Sequence, residues 1–560
     1  MTPSHHRPES ASHPPERAAR IRRIRRYAVP RAMIERATGR RLAGDWRGAC
    51  AAANVDVDLD PDRIRAEHGA EFADALLDDL RHLVPDLVRW HFPRLPHGPV
   101  ALALRWVLLL ARPGGDGGPW LAVETAYRDQ EGPQRLRLSL REDFDGLPGG
   151  RGPHPWIFER YLWDARRAHE ARERWGGSTE RAPFLNPDGT PRTVRELPAA
   201  DPGDADPAAR TEWIDHLHQT GRVAEAFAAA GFLCDAENLT QEGWTARVPV
   251  SPARLAAELT RLHAAGPAGR TGIPLDYRMW LTLRAEGGRF RAEVEPFVYK
   301  AERRPSLLPE LFWGRPPDID ALRDGMSPDH LHPLVRDALA PARPPADGPL
   351  GPPPWTPPAA PVRVRCRGEW HTVAVADGRL SLPHAGEEKR REASLRALGG
   401  ASAGCFAVEK AWTTGAGRLP KALRALRADL FERVLHGDTD AVVHYLDAGG
   451  DPHVRNGDRS TLLHHLHCLD HEVLLPRLLA AGLDVDAEDH QRHTPLGRVM
   501  THGGSARLGR ALIAAGARTE DVIGAWWGPR DLSEVIRRRM RFGAPTAVEA
   551  AELAALGGPL

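Results

Sequence analysis

Three leucines spaced 33 residues apart, Leu430, Leu463 and Leu496, constrain the last third of this 560-residue chain more tightly than any other feature. Gly449 and Gly482 repeat the interval, Gly516 follows after 34, and Thr461 and Thr494 each stand two residues ahead of a leucine. A period shared by independent landmarks implies one supersecondary unit used several times, each copy burying its apolar side against its neighbours.

The residues around these landmarks narrow the choice. "HTPLG" at His493 to Gly497 opens one unit, and "STLLHH" at Ser460 to His465 opens another, with Leu462 in place of proline. "VVHYLDAGGDPHVRNGD" (Val442 to Asp458), "LLPRLLAAGLDVDAED" (Leu474 to Asp489) and "LIAAGA" (Leu512 to Ala517) read as second helices ending at a glycine. This segment, roughly Leu419 to Met540 and about a fifth of the chain, resembles an ankyrin-repeat array. The resemblance implies a helical-hairpin solenoid that binds another protein through its hairpin tips and concave helix face. The residues it offers for contact are Arg455, Asn456, Asp458 and Arg459 on one tip and Glu488, His490, Gln491 and Arg492 on the next. The first unit lacks the Thr-Pro start, Pro476 falls inside a second helix, and the last unit shortens into "WWGPRDLSEVIRRR". Three units are near the lower limit for a free stack, so docking on the preceding segment is expected.

Within the second unit, "HHLHCLDH" (His464 to His471) has the composition of a metal site. On one continuous helix His464, Cys468 and His471 would share a face and suit Zn²⁺. His471 should lie past the first helix, which breaks that face. The resemblance instead gives His464 a structural hydrogen bond between units, and no metal is expected. His467 stands where the family prefers alanine.

Upstream the pattern changes. Residues 1–27 read as a disordered basic leader, with Arg17, Arg20, Arg22, Arg23, Arg25 and Arg26 around Ile21 and Ile24. Residues 28–342 read as mixed α and β, in two helix-then-hairpin blocks (28–182 and 208–342) suggestive of a divergent duplication. Asp60-Pro61 starts a helix carrying Ile64, Phe72, Leu76, Leu80 and Leu83 at helical spacing. Leu136, Leu138 and Leu140 alternate with polar residues as a half-buried strand, with partners in Val100 to Leu110 and Leu121 to Tyr127. In the second block Pro252 to His263 is helical, and Tyr277 to Arg284 pairs with Phe290 to Val298 across Gly287-Gly288. Prolines crowd 343–361 into a linker; 362–418 reads as a small β-meander plus helix, and 541–560 as a tail. The fold class expected is therefore α+β and multidomain, ending in the ankyrin helical-hairpin solenoid over 419–540.

Composition sets limits on function. With 76 basic and 75 acidic side chains there is no global field toward nucleic acid or an anionic membrane, so neither is expected as a partner, and one would need a local patch. The cysteines Cys50, Cys234, Cys366, Cys405 and Cys468 form no C-x-x-C pair, and the longest apolar run, Val100 to Ala111, carries Arg105 and is too short to span a bilayer. A soluble, reduced, cytoplasmic protein with no cofactor is expected. P-loop, H-E-x-x-H, G-x-S-x-G and kinase patterns are absent. Asp143 with Asp145, the "GLPGGRGPHPW" loop, and Trp156, Trp163 and Trp175 are explained more simply by turns and core than by catalysis. The leading expectation is a non-catalytic interaction protein; the alternative is an enzyme in 28–342 with the repeats as its targeting arm.

Overall fold

A computed structural model of the chain describes residues 15–95, 100–115, 117–125, 130–142, 154–243, 245, 248–264, 270–276, 278–296, 306–308, 310–356, 361–377, 379–525, 528–542 and 547–557. Asp143, Asp145, the loop from Gly146 to Pro153, Tyr277, Phe297 and Val298 lie outside the described residues. The chain divides into two units: Met1–Phe92, Trp106–Glu124 and Arg137–Pro352 form one, and Pro93–Arg105, Thr125–Leu136 and Pro353–Leu560 the other.

The first unit holds two five-stranded sheets. Strands β1 (Val55–Asp58), β2 (Val107–Ala111), β3 (Trp120–Thr125), β4 (Leu136–Arg141) and β5 (His154–Pro155) lie in the order β1-β4-β3-β2-β5. Strands β6 (Leu233–Cys234), β7 (Thr271–Pro274), β8 (Met279–Glu286), β9 (Arg289–Pro296) and β10 (Ser306–Leu307) lie in the order β10-β7-β8-β9-β6. Counted from its own start, each sheet has the same topology. The first strand flanks the end of a three-strand meander, and the fifth runs parallel beside the meander's beginning. The sequence keeps a trace of this. Pro61, Arg63, Ile64, Ala66 and Glu67 open the helix Pro61–His68, and Pro252, Arg254, Leu255, Ala257 and Glu258 open the helix Pro252–Ala264 at the same offsets.

Local chemistry explains the elements. The Asp60 carboxylate accepts from the backbone N–H groups of Asp62 and Arg63, capping the helix that Pro61 begins. Between β8 and β9, Gly287 and Gly288 take φ values of 56° and 79°, the paired left-handed conformation of a type I′ turn. Trp156, Trp163 and Trp175 are all buried in the core.

Two expectations change in this region. From Pro15 the leader is not disordered but forms the helix Pro15–Tyr27. Ala18 and Ile21 are buried, and Arg25, itself buried, donates to Asp318 at 2.9 Å and lies 4.6 Å from the Trp90 ring centroid. A basic segment docks when its apolar stripe is covered and its one buried charge is compensated. The proline-rich stretch is likewise held within each unit. The Gly351 N–H donates to the Asp329 carbonyl, while Trp355 is buried edge-on against His444 and Tyr445.

The second unit begins with β11 (Val362–Cys366), β12 (Glu369–Ala376) and β13 (Arg379–Ser381), an antiparallel meander, followed by helices Gly386–Ala397 and Gly404–Thr414. Helical pairs come next: Lys421–Leu435 with Thr439–Asp447, Leu462–Cys468 with His471–Ala480, and Pro495–Thr501 with Ala506–Ala514. Gly449, Gly482 and Gly516 have φ of 77°, 84° and 96°, so each recurring glycine is the left-handed residue just past the second helix of its pair.

The expected C-terminal helical-hairpin solenoid is nevertheless overturned. The chain is mixed α and β, and no closed solenoid forms over 419–540. Leu462–Cys468 is a 3₁₀ helix, and the tips around Arg459 and Arg492 are turns without paired strands. Strands β14 (Ile523–Ala525) and β15 (Gly528–Arg530) form a hairpin, after which Leu532–Phe542 packs on Pro495–Thr501 and Ala547–Gly557 on Ala506–Ala514. A solenoid requires each unit to meet only its neighbours. Here one hydrophobic core runs from Trp355 through the meander residues Val364 and Val373 to Ile536 and Leu553. The helical pairs are part of a larger α and β body. Among the described residues no helix is long and apolar enough to cross a membrane.

Candidate metal centre

The hairpin between β11 and β12 turns through Arg367-Gly368, with φ of 52° and 89°, again a type I′ turn. Its register pairs Val364 with His371 and Cys366 with Glu369. Because side chains alternate along a strand, Val364, Cys366, His371 and Val373 share one face, and Arg363, Arg365, Trp370 and Thr372 the other. Cys366 and His371 thus sit diagonally on adjacent strands, facing the interior.

Two more ligands arrive from downstream. His384 lies between β13 and the helix Gly386–Ala397, and Cys405 is the second residue of the helix Gly404–Thr414. Gly404 makes the second approach possible. Its φ is 55°, and a Cβ there would lie 2.5 Å from the Cys366 Sγ and 2.9 Å from the Cys366 Cα. Only a residue without a side chain lets Cys405 come this close.

One donor atom from each of Cys366, His371, His384 and Cys405 falls within 4.8 Å of all the others. Cys366 Sγ is 3.7 Å from His384 Nε2, Cys405 Sγ is 3.6 Å from His371 Nδ1, and the two imidazole nitrogens are 3.2 Å apart. Zinc bonds of ~2.3 Å to sulfur and ~2.05 Å to nitrogen give tetrahedral edges of about 3.6 Å for S···N and about 3.3 Å for N···N. These three edges match, within a set that spans 4.8 Å. Two thiolates and two imidazoles also suit Zn²⁺ in softness and charge.

The surroundings orient the ligands. His384 Nδ1 lies 3.3 Å from Glu388 Oε2, the carboxylate–imidazole pairing that directs Nε2 toward a metal, and Arg367 holds the other Glu388 oxygen at 2.9 Å. The bond to His384 keeps the Glu388 carboxyl below its usual range. The His384 ring stacks on Phe406 at 4.5 Å. Cys366 and Cys405 are buried, and desolvation, then the neighbouring Cys366, pushes the Cys405 thiol up to about 11. A divalent cation held there would reverse that preference, with both sulfurs as thiolates.

The residues expected to matter lie elsewhere. In the histidine run, Nδ1 of His464 accepts from the Thr461 N–H at 3.1 Å, which leaves Nε2 to donate to the His493 carbonyl at 3.1 Å. This bond joins one helical pair to the next. His467 Nε2 pairs with the Glu131 carbonyl at 2.9 Å. Cys468 ends the 3₁₀ helix and His471 begins the following one, so no shared face exists.

The eight contact residues sort into two groups. Arg455 donates to the Glu488 carbonyl and Glu488 pairs with Arg518, so these two knit successive turns together, while Asn456 Oδ1 accepts from the Asp458 and Ser460 N–H groups and closes its own turn. Asp458, Arg459, His490, Gln491 and Arg492 are exposed, with Arg459 and Arg492 at equivalent left-handed positions, φ 61° and 62°.

In the first unit one set of perturbed groups is an interior ion-pair network. Arg174 bridges Glu159 at 2.6 Å and Glu258 at 3.2 Å, and burial, then Glu258, pushes Glu159 up to about 7. A small cavity beside the helix Ala70–His82 is lined by Leu59, Pro61, Ile64, Ala73, Leu76, Leu77 and Leu80, without a titratable side chain.

The metal set was hidden from sequence reasoning because its spacings are long and irregular. No pair of cysteines is near in sequence, and each ligand belongs to a different element. The available signal was a Cys at one strand end and a His on the inward face of its hairpin partner. Comparison with protein-family models, with curated proteins and with solved structures finds no match for this chain.

Proposed function

We propose that this chain is a non-catalytic binding protein whose second unit is held together by a structural zinc ion at Cys366, His371, His384 and Cys405. The observation that carries the reading is the convergence of four buried or half-buried donors, two sulfurs and two nitrogens, with three of their separations at tetrahedral length. With all four positions taken by protein, such a metal has no site for substrate or activated water, and it acts by tying elements together. Here it ties the meander to the helix that leads into the helical pairs.

The binding half of the reading concerns the turns. Arg455, Asn456 and Glu488 make a rigid inner layer, and Asp458, Arg459, His490, Gln491 and Arg492 form the outer layer offered to a protein partner. A reducing, cytoplasmic setting belongs to this reading, since zinc is held only by Cys366 and Cys405 in their reduced, thiolate form.

Two measurements test it. The purified full chain should bind one Zn²⁺, and with Co²⁺ should show thiolate charge-transfer bands and the strong visible absorption of a tetrahedral site. Sub-stoichiometric metal, or binding unchanged in Cys366→Ser with Cys405→Ser, rules the centre out. Reversing charge at Arg459→Glu and Arg492→Glu should release protein partners captured by the intact chain; retention of every partner removes that surface.

A further inference from the structure

The four candidate ligands gather against one face of the meander; the opposite face is solvent-exposed and chemically distinctive. Arg363, Arg365, Trp370, Thr372, Arg379 and Ser381 project from it, and all six are exposed. Trp370 is 57% exposed, the one tryptophan among the exposed large hydrophobic side chains of the described residues. It stands directly across from Arg365 in the register, and the Arg363 guanidinium lies 5.1 Å from its ring centroid. Among the described residues Arg363, Arg365 and Arg379 form no ion pair, whereas Arg367 at the turn is engaged by Glu388. Among the described residues no carboxylate stands on the face itself.

Such an arrangement has a cost. An exposed indole gains nothing by burial, and three uncompensated cations on one small sheet repel each other. Over 362–398 there are eight basic and five acidic side chains, net +3, while the whole chain is +1. The local patch that overall composition does not exclude is therefore present here.

We propose that this face binds single-stranded nucleic acid. A flat sheet carrying one exposed aromatic ring provides a stacking platform for an unpaired base, and arginines flanking it, Arg363 and Arg365 at steps of about 7 Å along the strand, neutralise successive phosphates. Duplex is a poorer fit, because its bases are already stacked and Trp370 would have no free π-face to meet. An acidic protein segment would satisfy the arginines but leaves the indole unexplained. The platform's stiffness comes from the β11–β12–β13 ladder and the type I′ turn, so the inference stands apart from the zinc reading.

The test uses the full chain and fluorescence anisotropy with labelled 12-nucleotide single-stranded RNA and DNA, a duplex of the same sequence, and a poly-glutamate peptide. Single strands should bind in a strongly salt-dependent manner and more tightly than duplex. Trp370→Ala should weaken them about 5- to 100-fold, the range of one lost base stack. Arg363→Glu with Arg365→Glu should abolish binding and flatten the salt dependence. Both variants alter exposed side chains, so zinc content and thermal stability should be unchanged, separating loss of the face from loss of the fold. Absence of binding at low salt, insensitivity to Trp370→Ala, or binding of the peptide with equal strength and the same arginine dependence would each overturn the proposal. The last outcome would assign the face to an acidic protein instead.

Discussion

A single glycine decides whether the four donors meet. At Gly404 the backbone has φ 55° and passes so near Cys366 that a methyl group would overlap its Sγ, Cβ and Cα together. Backbone and a buried side chain give way far less readily than a flexible surface side chain. Gly404→Ala is expected to cost about 1–3 kcal/mol of stability and to lower zinc affinity, measured by chemical denaturation and by competition with a colorimetric chelator. Glu388 offers a gentler test of the same centre. Glu388→Gln keeps the shape but removes the charge behind His384, so zinc affinity should fall about 10- to 100-fold with the fold intact. An unchanged affinity would mean that Glu388 serves only as the helix-capping partner of the Ala385 N–H.

At the scale of elements, the bond from His464 to the His493 carbonyl is the clearest joint between successive helical pairs. Burial, opposed in part by Asp489, draws the His464 pKa down to about 4. The folded state therefore holds the ring neutral while the unfolded chain protonates it near 6.5. Between those values the unfolded state binds more protons, so the contribution is complete above pH 6.5 and is lost as pH falls toward 4. Urea denaturation of the second unit at pH 7.5 and at pH 5 should show the loss, roughly 1 to 2 kcal/mol, and His464→Gln should reduce it. Equal pH dependence in both proteins would show that other groups carry it.

For the whole molecule, the relevant fact is that the hydrophobic core of the second unit is continuous from Trp355 to Leu553, whereas the first unit has cores of its own around its sheets. Removing zinc with a strong chelator should loosen more than the meander. Amide hydrogen exchange should rise in β11, β12 and the helix Gly404–Thr414 and extend into Lys421–Leu435, with the strands β7 to β9 unaffected. Exchange that rises only at the four ligands would show that the core holds without the metal.

What was legible in the sequence was what is encoded locally. Asp60-Pro61, Gly287-Gly288 and the glycines at 449, 482 and 516 act through the φ and hydrogen-bonding limits of one or two residues, and each does in the structure what those limits require. The 33-residue interval placed the helical pairs, because period follows from the length of a repeated unit. It did not show that the pairs share one core with the meander and are closed by β14, β15 and two further helices, since that depends on which apolar faces meet across the chain. The basic leader looked disordered because Asp318, the partner that makes Arg25 tolerable indoors, is almost 300 residues away. The contrast is sharpest for the candidate metal ligands. "HHLHCLDH" concentrates ligands along the sequence, but its 3₁₀ helix and the next helix turn them to separate hydrogen bonds. Cys366, His371, His384 and Cys405 are dispersed over forty residues and converge only because a type I′ turn, a strand pairing and a glycine contact bring them together. Coordination depends on distance in space, and for these residues only the tertiary structure determined that distance.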